Sequence, residues 1–271
     1  MSRRMRLEEE RLQLLKEELQ EEEDKIKLMQ EKIFAPLVWR RLGSGIKIQD
    51  LKSNYYEDAV AIILKYFINE DVLFRNTKIA DDPSSQESFG RRIMYKLKDS
   101  TSIIAIDEGH ENKVTGILLL NVVNKSDFAR IYSRTMLVEG NAYKSISEFM
   151  NFVNRKVDVF EECQHDTYLQ FYLLCIVPEY RGQGLGYHLM RAGMDVARHL
   201  KIPTVMGIFN SYSMQKLATR VGIDRTLYEV EYANWVDPLG ELVFCDPGPG
   251  NYTCAMMVGT VPLTAQDTTC K

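Results

Sequence analysis

"VPEYRGQGLG" (residues 177–186) places three glycines at alternate positions behind an arginine. It follows the apolar run "YLQFYLLCIV" (168–177) and precedes a stretch whose Leu189, Gly193, Val196, Ala197 and Leu200 fall at helical spacing. A strand, a glycine-rich turn and a helix start together make an anion site. The N–H groups of the turn converge there, and the helix dipole adds about half a positive charge. Glycine serves where φ is positive or where the backbone approaches a ligand closely. Arg181 adds a fixed charge at the mouth. The spacing narrows the anion further. A Walker loop requires Lys and then Ser or Thr after its last glycine, and here Tyr187 follows Gly186. A dinucleotide fingerprint requires G-x-G-x-x-G and an acid after the next strand. Here the spacing is G-x-G-x-G, and the next strand ends in Phe209–Asn210.

Working outward, the pattern predicts a mixed α/β (α+β) domain with a mixed sheet and flanking helices. "IKIQDL" (46–51) reads as a strand. Ser53 or Asn54 is placed to cap a helix with Glu57 and Asp58 in its first turn and Tyr56, Ala59, Val60, Ile63 and Phe67 on its apolar face. A second helix is expected near 87–98. "TSIIAID" and "KVTGILLLNVV" flank "EGHEN" as a hairpin, and a helix follows near 142–155. "PTVMGIF" (203–209) reads as a buried strand. The next helix is expected to start on Asn210 as its cap and to stop at Gly222. Two last strands fall near 225–233 and 253–260, around the loop "CDPGPGN".

Residues 1–35 differ from the rest. Met5, Leu12, Leu19, Ile26 and Ile33 lie seven apart, while Glu8 and Glu22 interrupt a second seam. This predicts a long charged helix, solvated or in coiled-coil contact with a partner or a second copy. Residues 36–45 read as a linker, 46–262 as the main domain and 263–271 as a tail.

The chain has 271 residues, 45% of them apolar, and a formal charge of −4. No part is conspicuously basic, which argues against a nucleic-acid partner. No apolar run approaches the ~18 residues needed to cross a bilayer. Five cysteines without paired spacing, behind a charged N-terminus, suggest a reducing cytoplasm. The four histidines show no metal spacing, so no metal is expected.

"RGQGLG" resembles the acetyl-CoA loop of the GNAT acyltransferase superfamily, with Arg181, Gly182, Gln183, Gly184, Leu185 and Gly186 each fitting. Residues 46–262 look similar to the insect arylalkylamine N-acetyltransferase group, which includes dopamine and agmatine acetyltransferase-like enzymes. "EDAVAIILKYFINEDVL" and "GELVFCDPGPGNYTCAMMVGTV" carry that likeness at the two ends of the domain. The resemblance implies the GNAT fold and acetyl transfer from acetyl-CoA to a small primary amine, arylalkylamine or polyamine-like, by direct attack in a ternary complex. It also implies a bulged strand whose open backbone pairs with the pantetheine arm, with Leu174, Ile176 and Val177 supplying the contacts. Asn210, Ser213 and Lys216 are the further candidates on the cosubstrate side.

The base is implied at "FINEDVL", where Asp71 or Glu70 stands in place of the family's glutamate. The proline that follows in the family is Val72 here. The superfamily's tyrosine donor is replaced by Ala218, which leaves Ser213 as candidate donor to the thiolate. Phe209 replaces a serine of the insect group. Tyr66, Phe74, Tyr168, Phe209 and Tyr212, with Phe67 and Phe171, are candidates to line an acceptor pocket. These departures also fit an acyl-CoA-binding or scaffold protein of the same fold. Peptide N-acetylation is a third reading.

Overall fold

A computed structural model of the chain describes residues 35–126, 138–237 and 239–262. The chain divides into two compact units, Met1–Leu37 and Val38–Lys271. The expected N-terminal helix and the C-terminal tail lie outside the described residues.

The second unit is built on one eight-stranded sheet. Its strands are β1 (Val38–Arg41), β2 (Ile46–Asp50), β3 (Ile103–Asp107), β4 (Lys113–Asn124), β5 (Thr167–Ile176), β6 (Thr204–Phe209), β7 (Arg225–Glu231) and β8 (Thr253–Thr260). The spatial order is β1-β2-β3-β4-β5-β6-β8-β7. Every neighbouring pair is antiparallel except β5 and β6. The mixed sheet expected from the sequence is therefore present. β1 corrects the reading of 36–45 as a linker, because Val38–Arg41 pair with β2.

Helices cover both faces. On one face lie α1 (Tyr56–Ile62, continued by a π-helical turn Ile63–Phe67 and by Ile68–Glu70), α2 (Val72–Asn76), α3 (Pro83–Leu97), α4 (Asn141–Asn154) and α5 (Val159–Cys163). On the other lie α6 (Leu185–His199) and α7 (Tyr212–Val221). The sheet separates two apolar cores. One is built on Ile63, Phe89, Ile93 and Phe149, the other on Leu189, Ala197, Val205 and Phe171. Leu200, expected on the core face of α6, is the C-cap and stays exposed.

Caps differ from expectation in two places. Ser53 and Asn54 lie in a short 3₁₀ turn and neither caps α1, whose N-cap Tyr55 makes no side-chain bond. Ser211, not Asn210, caps α7 by accepting from the Met214 N–H. The C-terminal stop is as expected. Gly222 has φ +98°, and its amide bonds back into the helix.

Candidate active site

The first element of the site is a break in a helix. The amide of Ile68 reaches back to the Ile63 carbonyl, so α1 contains one wide turn. The helix ends at Glu70, and Asp71 is extended (φ −61°, ψ 140°). Asp71 then caps α2. Its Oδ1 accepts from the amides of Leu73 at 3.0 Å and Phe74 at 3.3 Å. A short acidic side chain suits that role, since aspartate is a favoured N-cap residue. The Asp71–Glu70 choice is thereby separated by geometry. Asp71 is half-buried and lines the central cavity. Glu70 is exposed and forms an ion pair with Arg181 at 2.6 Å.

The other carboxylate oxygen of Asp71 accepts from Asn210 Nδ2 at 2.7 Å. Asn210 follows β6, and its own carbonyl accepts the Tyr232 hydroxyl at 2.7 Å. Sequence reasoning placed Asn210 as a cap and on the cosubstrate side. The structure places its side chain on Asp71. Burial raises the Asp71 carboxyl to about 6, against the opposing pull of the Phe74, Leu73 and Asn210 hydrogen bonds. It is thus mostly ionised at neutral pH and still basic enough to take a proton. Burial likewise pushes up the neighbouring Tyr232 hydroxyl and Cys254 thiol.

The second element is a gap in the sheet. β5 and β6 pair only over Leu169–Phe171 against Val205–Gly207. Beyond that point β5 carries a bulge. Leu120 faces Phe171 and Leu119 faces Leu173, so Tyr172 is the extra residue. The expected bulge is present. The Val177 amide donates to Thr115 O and its carbonyl accepts from Tyr180, so both its backbone groups have internal partners. This corrects the expectation for Val177, which is also buried. By the alternation of a strand, Leu174 and Ile176 turn their backbone groups to the opposite side, which is open except at the Ile176 carbonyl, the acceptor of Arg181 Nε.

The glycine loop sits at the end of that open edge. Gly182 has φ +73° and Gly184 φ +80°, with no atom within 4 Å of where a Cβ would stand. Both conformations favour glycine, and the open space leaves the backbone accessible. Leu185 begins the 15-residue α6 with its side chain buried. Gln183 donates to Glu179 O at 3.2 Å. Arg181 donates from Nε to Ile176 O at 2.8 Å, which folds it over the strand end.

At the head of α7, Ser213 is exposed, with its hydroxyl 3.2 Å from that of Ser211. Lys216 lies over the Tyr212 ring at 5.1 Å. Arg220, which sequence reasoning missed, lies over Tyr187 at 5.0 Å. Its signal was available, because it falls one turn after Lys216.

A cavity of about 880 Å³ runs along the parted strands, lined by Asp71 and Asn210 and by Tyr172, Leu173 and Leu174 of β5, while the glycine loop, Lys216 and Arg220 lie outside its lining. Residues of both layers line it, Asp71 and Phe74 from one side and Met190 and Met214 from the other, as a parted sheet allows. Of the aromatic candidates, Phe67, Phe74, Tyr168, Phe171 and Phe209 line it. Tyr66 and Tyr212 do not; Tyr212 is 55% exposed on α7. Ser213 lies outside the lining as well. A Cβ at Gly207 would stand 2.4 Å from the Phe209 ring, so this glycine makes room for that aromatic. Sequence reasoning missed a polar group in the lining, Lys96 and Arg92 with Asn121, Tyr143 and Tyr172. The signal was that Lys96 falls three residues after Ile93 and seven after Phe89, in phase with the buried face of α3.

The domain thus combines a sheet parted at a parallel pair, a glycine loop at a helix N-terminus and a carboxylate in the cavity lining. The chain belongs to the acetyltransferase (GNAT) family, whose pattern matches residues 74–222. It is an N-acetyltransferase, and acetyl-CoA is the cosubstrate of that family. The fold is similar to that of arylalkylamine N-acetyltransferase 2 from Aedes aegypti, with TM-score 0.73 and 19% identity over 80% of this chain and 99% of that one. A mosquito arylalkylamine N-acetyltransferase like 5b gives TM-score 0.67 and 18% identity over 79% and 99% of the two chains. The Drosophila melanogaster polyamine N-acetyltransferase, which forms N-acetylagmatine, gives TM-score 0.65 and 17% identity over 79% and 99%. No curated protein matches the chain by sequence. Among the described residues no helix is long and apolar enough to cross a membrane.

Proposed function

We propose that this protein acetylates a small primary amine by direct attack within a ternary complex, with Asp71 as the base. The observation that carries the reading is Asp71 itself, ionisable near 6 and facing a cavity that opens on the parted strands. The residues present fit acetyl-CoA. The open edge at Leu174 and Ile176 suits an extended amide-bearing arm, in the manner of an added strand. The amides from Arg181 through Gly186 suit a pyrophosphate, with Gly182 and Gly184 leaving the backbone uncovered. Lys216 and Arg220, one turn apart on α7, are the candidate contacts for outer phosphates. When bound, acetyl-CoA supplies the activated acetyl group.

Asp71 does two things in this scheme. Its negative charge draws the ammonium of the acceptor into the cavity, and its carboxylate takes the proton that the amine must lose, since a free amine has a pKa near 10. Asn210 and the two α2 amides hold the carboxylate in one orientation. Phe67, Phe74 and Phe209 give the acceptor an apolar wall. Ser213, with Ser211 beside it, is the candidate hydroxyl donor on the thiol side. Cys163, Cys175, Cys245 and Cys254 are free thiols, which suits a cytoplasmic setting.

Thiol release from acetyl-CoA over an amine panel, alongside calorimetry with acetyl-CoA, tests the reading. We expect acetyl-CoA binding and release with at least one primary amine. Binding with no release from any amine would overturn it in favour of a binding or scaffold role.

A further inference from the structure

Lys96 is nine-tenths buried on the sheet face of α3 and lines the cavity. Its Nζ donates to Asn121 Oδ1 at 2.9 Å and stands 4.0 Å from the centroid of the Tyr172 ring. A buried ammonium is ordinarily ion-paired. No carboxylate lies within ion-pair distance of Lys96 among the described residues. Asp99 is near, but it is exposed and accepts from Asn121 Nδ2 at 2.9 Å.

A second cation adjoins it. Arg92 is half-buried in the same lining, bonds the Tyr172 hydroxyl and forms no ion pair with a described carboxylate. Its charge, after burial, helps push Lys96 down to about 7. The hydroxyls of Tyr172 and Tyr143 hydrogen-bond each other at the same place. Asp99 also lines the cavity, and its charge partly offsets the push from Arg92 without an ion pair to either group. The wall here thus carries Arg92, a Lys96 that is partly charged at neutral pH, and two hydroxyls, with one carboxylate not in contact with either basic group.

The charges are arranged end to end. Asp71 is tied to Asn210 at the end of β6, and Lys96 to Asn121 on β4. One strand lies between them in the sheet, and Asn210 lies four residues beyond Met206, the β6 residue level with Asn121, so the two ends are separated by two strand spacings across the sheet and about 13 Å along it, roughly 16 Å in all. A ligand spanning the cavity meets a negative group at one end and positive groups at the other. A diamine would bring its second cation against Lys96 and Arg92. An α-amino acid would bring its carboxylate against Asp71.

We propose that Lys96 and Arg92, with the Tyr143 and Tyr172 hydroxyls, form a subsite for an anionic group at the far end of the acceptor. The preferred acceptors are then amines bearing a remote carboxylate, not polyamines. This rests on the acetyltransferase reading above. A carboxylate there relieves the repulsion between the two basic groups and makes charge-assisted bonds.

The test compares 4-(2-aminoethyl)benzoate, tyramine, agmatine and 1,4-diaminobutane. In the wild type we expect kcat/KM for the benzoate to exceed that for tyramine by about tenfold, the worth of one charge-assisted contact, with both diamines below tyramine. Lys96→Met and Arg92→Met should each lower the benzoate-to-tyramine ratio by about tenfold, and Lys96→Arg should retain most of it. A wild-type preference for the diamines overturns the proposal, as does a ratio unchanged in both methionine variants. If no amine releases CoA, the acetyltransferase reading fails instead, and the subsite is read by calorimetry in the presence of acetyl-CoA. Tighter benzoate than tyramine binding that is lost in Arg92→Met supports it, and equal binding overturns it.

Discussion

The glycine loop and the cavity belong to one domain, and they are built from different materials. The loop is backbone. Its amides and the positive φ values of Gly182 and Gly184 lie within six consecutive residues. The cavity is side chain. Asp71 and its partner Asn210 are 139 residues apart, and Lys96 and Asn121 are 25 apart. A backbone site tolerates change in most side chains and fails when a glycine is lost. A side-chain site fails wherever any one contributor moves.

The largest expected effect lies on the cavity side. Asp71→Asn should lower kcat/KM by about 10²–10⁴-fold, the usual worth of a general base. The wild-type rate should rise with pH through about 6 as Asp71 ionises, and this limb should vanish in the variant. Stability should move the other way. The folded-state value is raised, so Asp71 favours folding below its unfolded value of 3.8, and this contribution is lost as pH rises through about 6. Thermal melts of Asp71→Asn should therefore lie above wild type at pH 7 and converge with it near pH 4. An unchanged melting difference across that window would break the assignment of a desolvated charge at Asp71.

On the loop side, Gly184→Arg should weaken acetyl-CoA binding by about 100-fold, roughly 3 kcal/mol, through the positive φ and the filled anion site. Calorimetry reads this directly, and unchanged affinity would show that the loop is only a tight turn. Asn210→Ala sharpens the comparison. Removing a hydrogen bond to a charged group costs about 1.5–3 kcal/mol, so the acid limb of the pH–rate profile should move above 6 and kcat should fall about tenfold. Acetyl-CoA affinity should stay near wild type, because Asn210 faces Asp71. Glu70→Gln gives the smallest effect. It breaks an exposed pair with Arg181, worth at most about 1 kcal/mol, and should change kcat/KM by less than about fivefold. A loss as large as that of Asp71→Asn would shift the base by one residue.

What was legible in the sequence follows the same division. The strand–loop–helix at 168–199 was readable because its periodicity, its glycines and its phosphate geometry are local properties. The hairpin at 103–124 and the Gly222 stop were readable for the same reason. The caps of α1 and α7 were misjudged because adjacent polar residues compete for one cap, and tertiary contacts decide among them. Asn210 lost the capping role to Ser211 once its amide could reach Asp71. Tyr66 and Tyr212 were plausible liners by composition, but the direction of each helix turns them away from the cavity.

By itself, then, the sequence determined the sheet-and-helix class, the glycine loop between strand and helix, and the adjacent pair of acids at the end of α1. Only the tertiary structure set Asp71 in the cavity lining and Glu70 on Arg181, by ending α1 at Glu70 and turning the next side chain inward. Only it assembled Asn210 on Asp71 and Lys96 beside Arg92 and Tyr172. A backbone site is encoded by neighbours in the chain, whereas the charge and pKa of a side-chain site depend on burial and on partners that folding alone brings within reach.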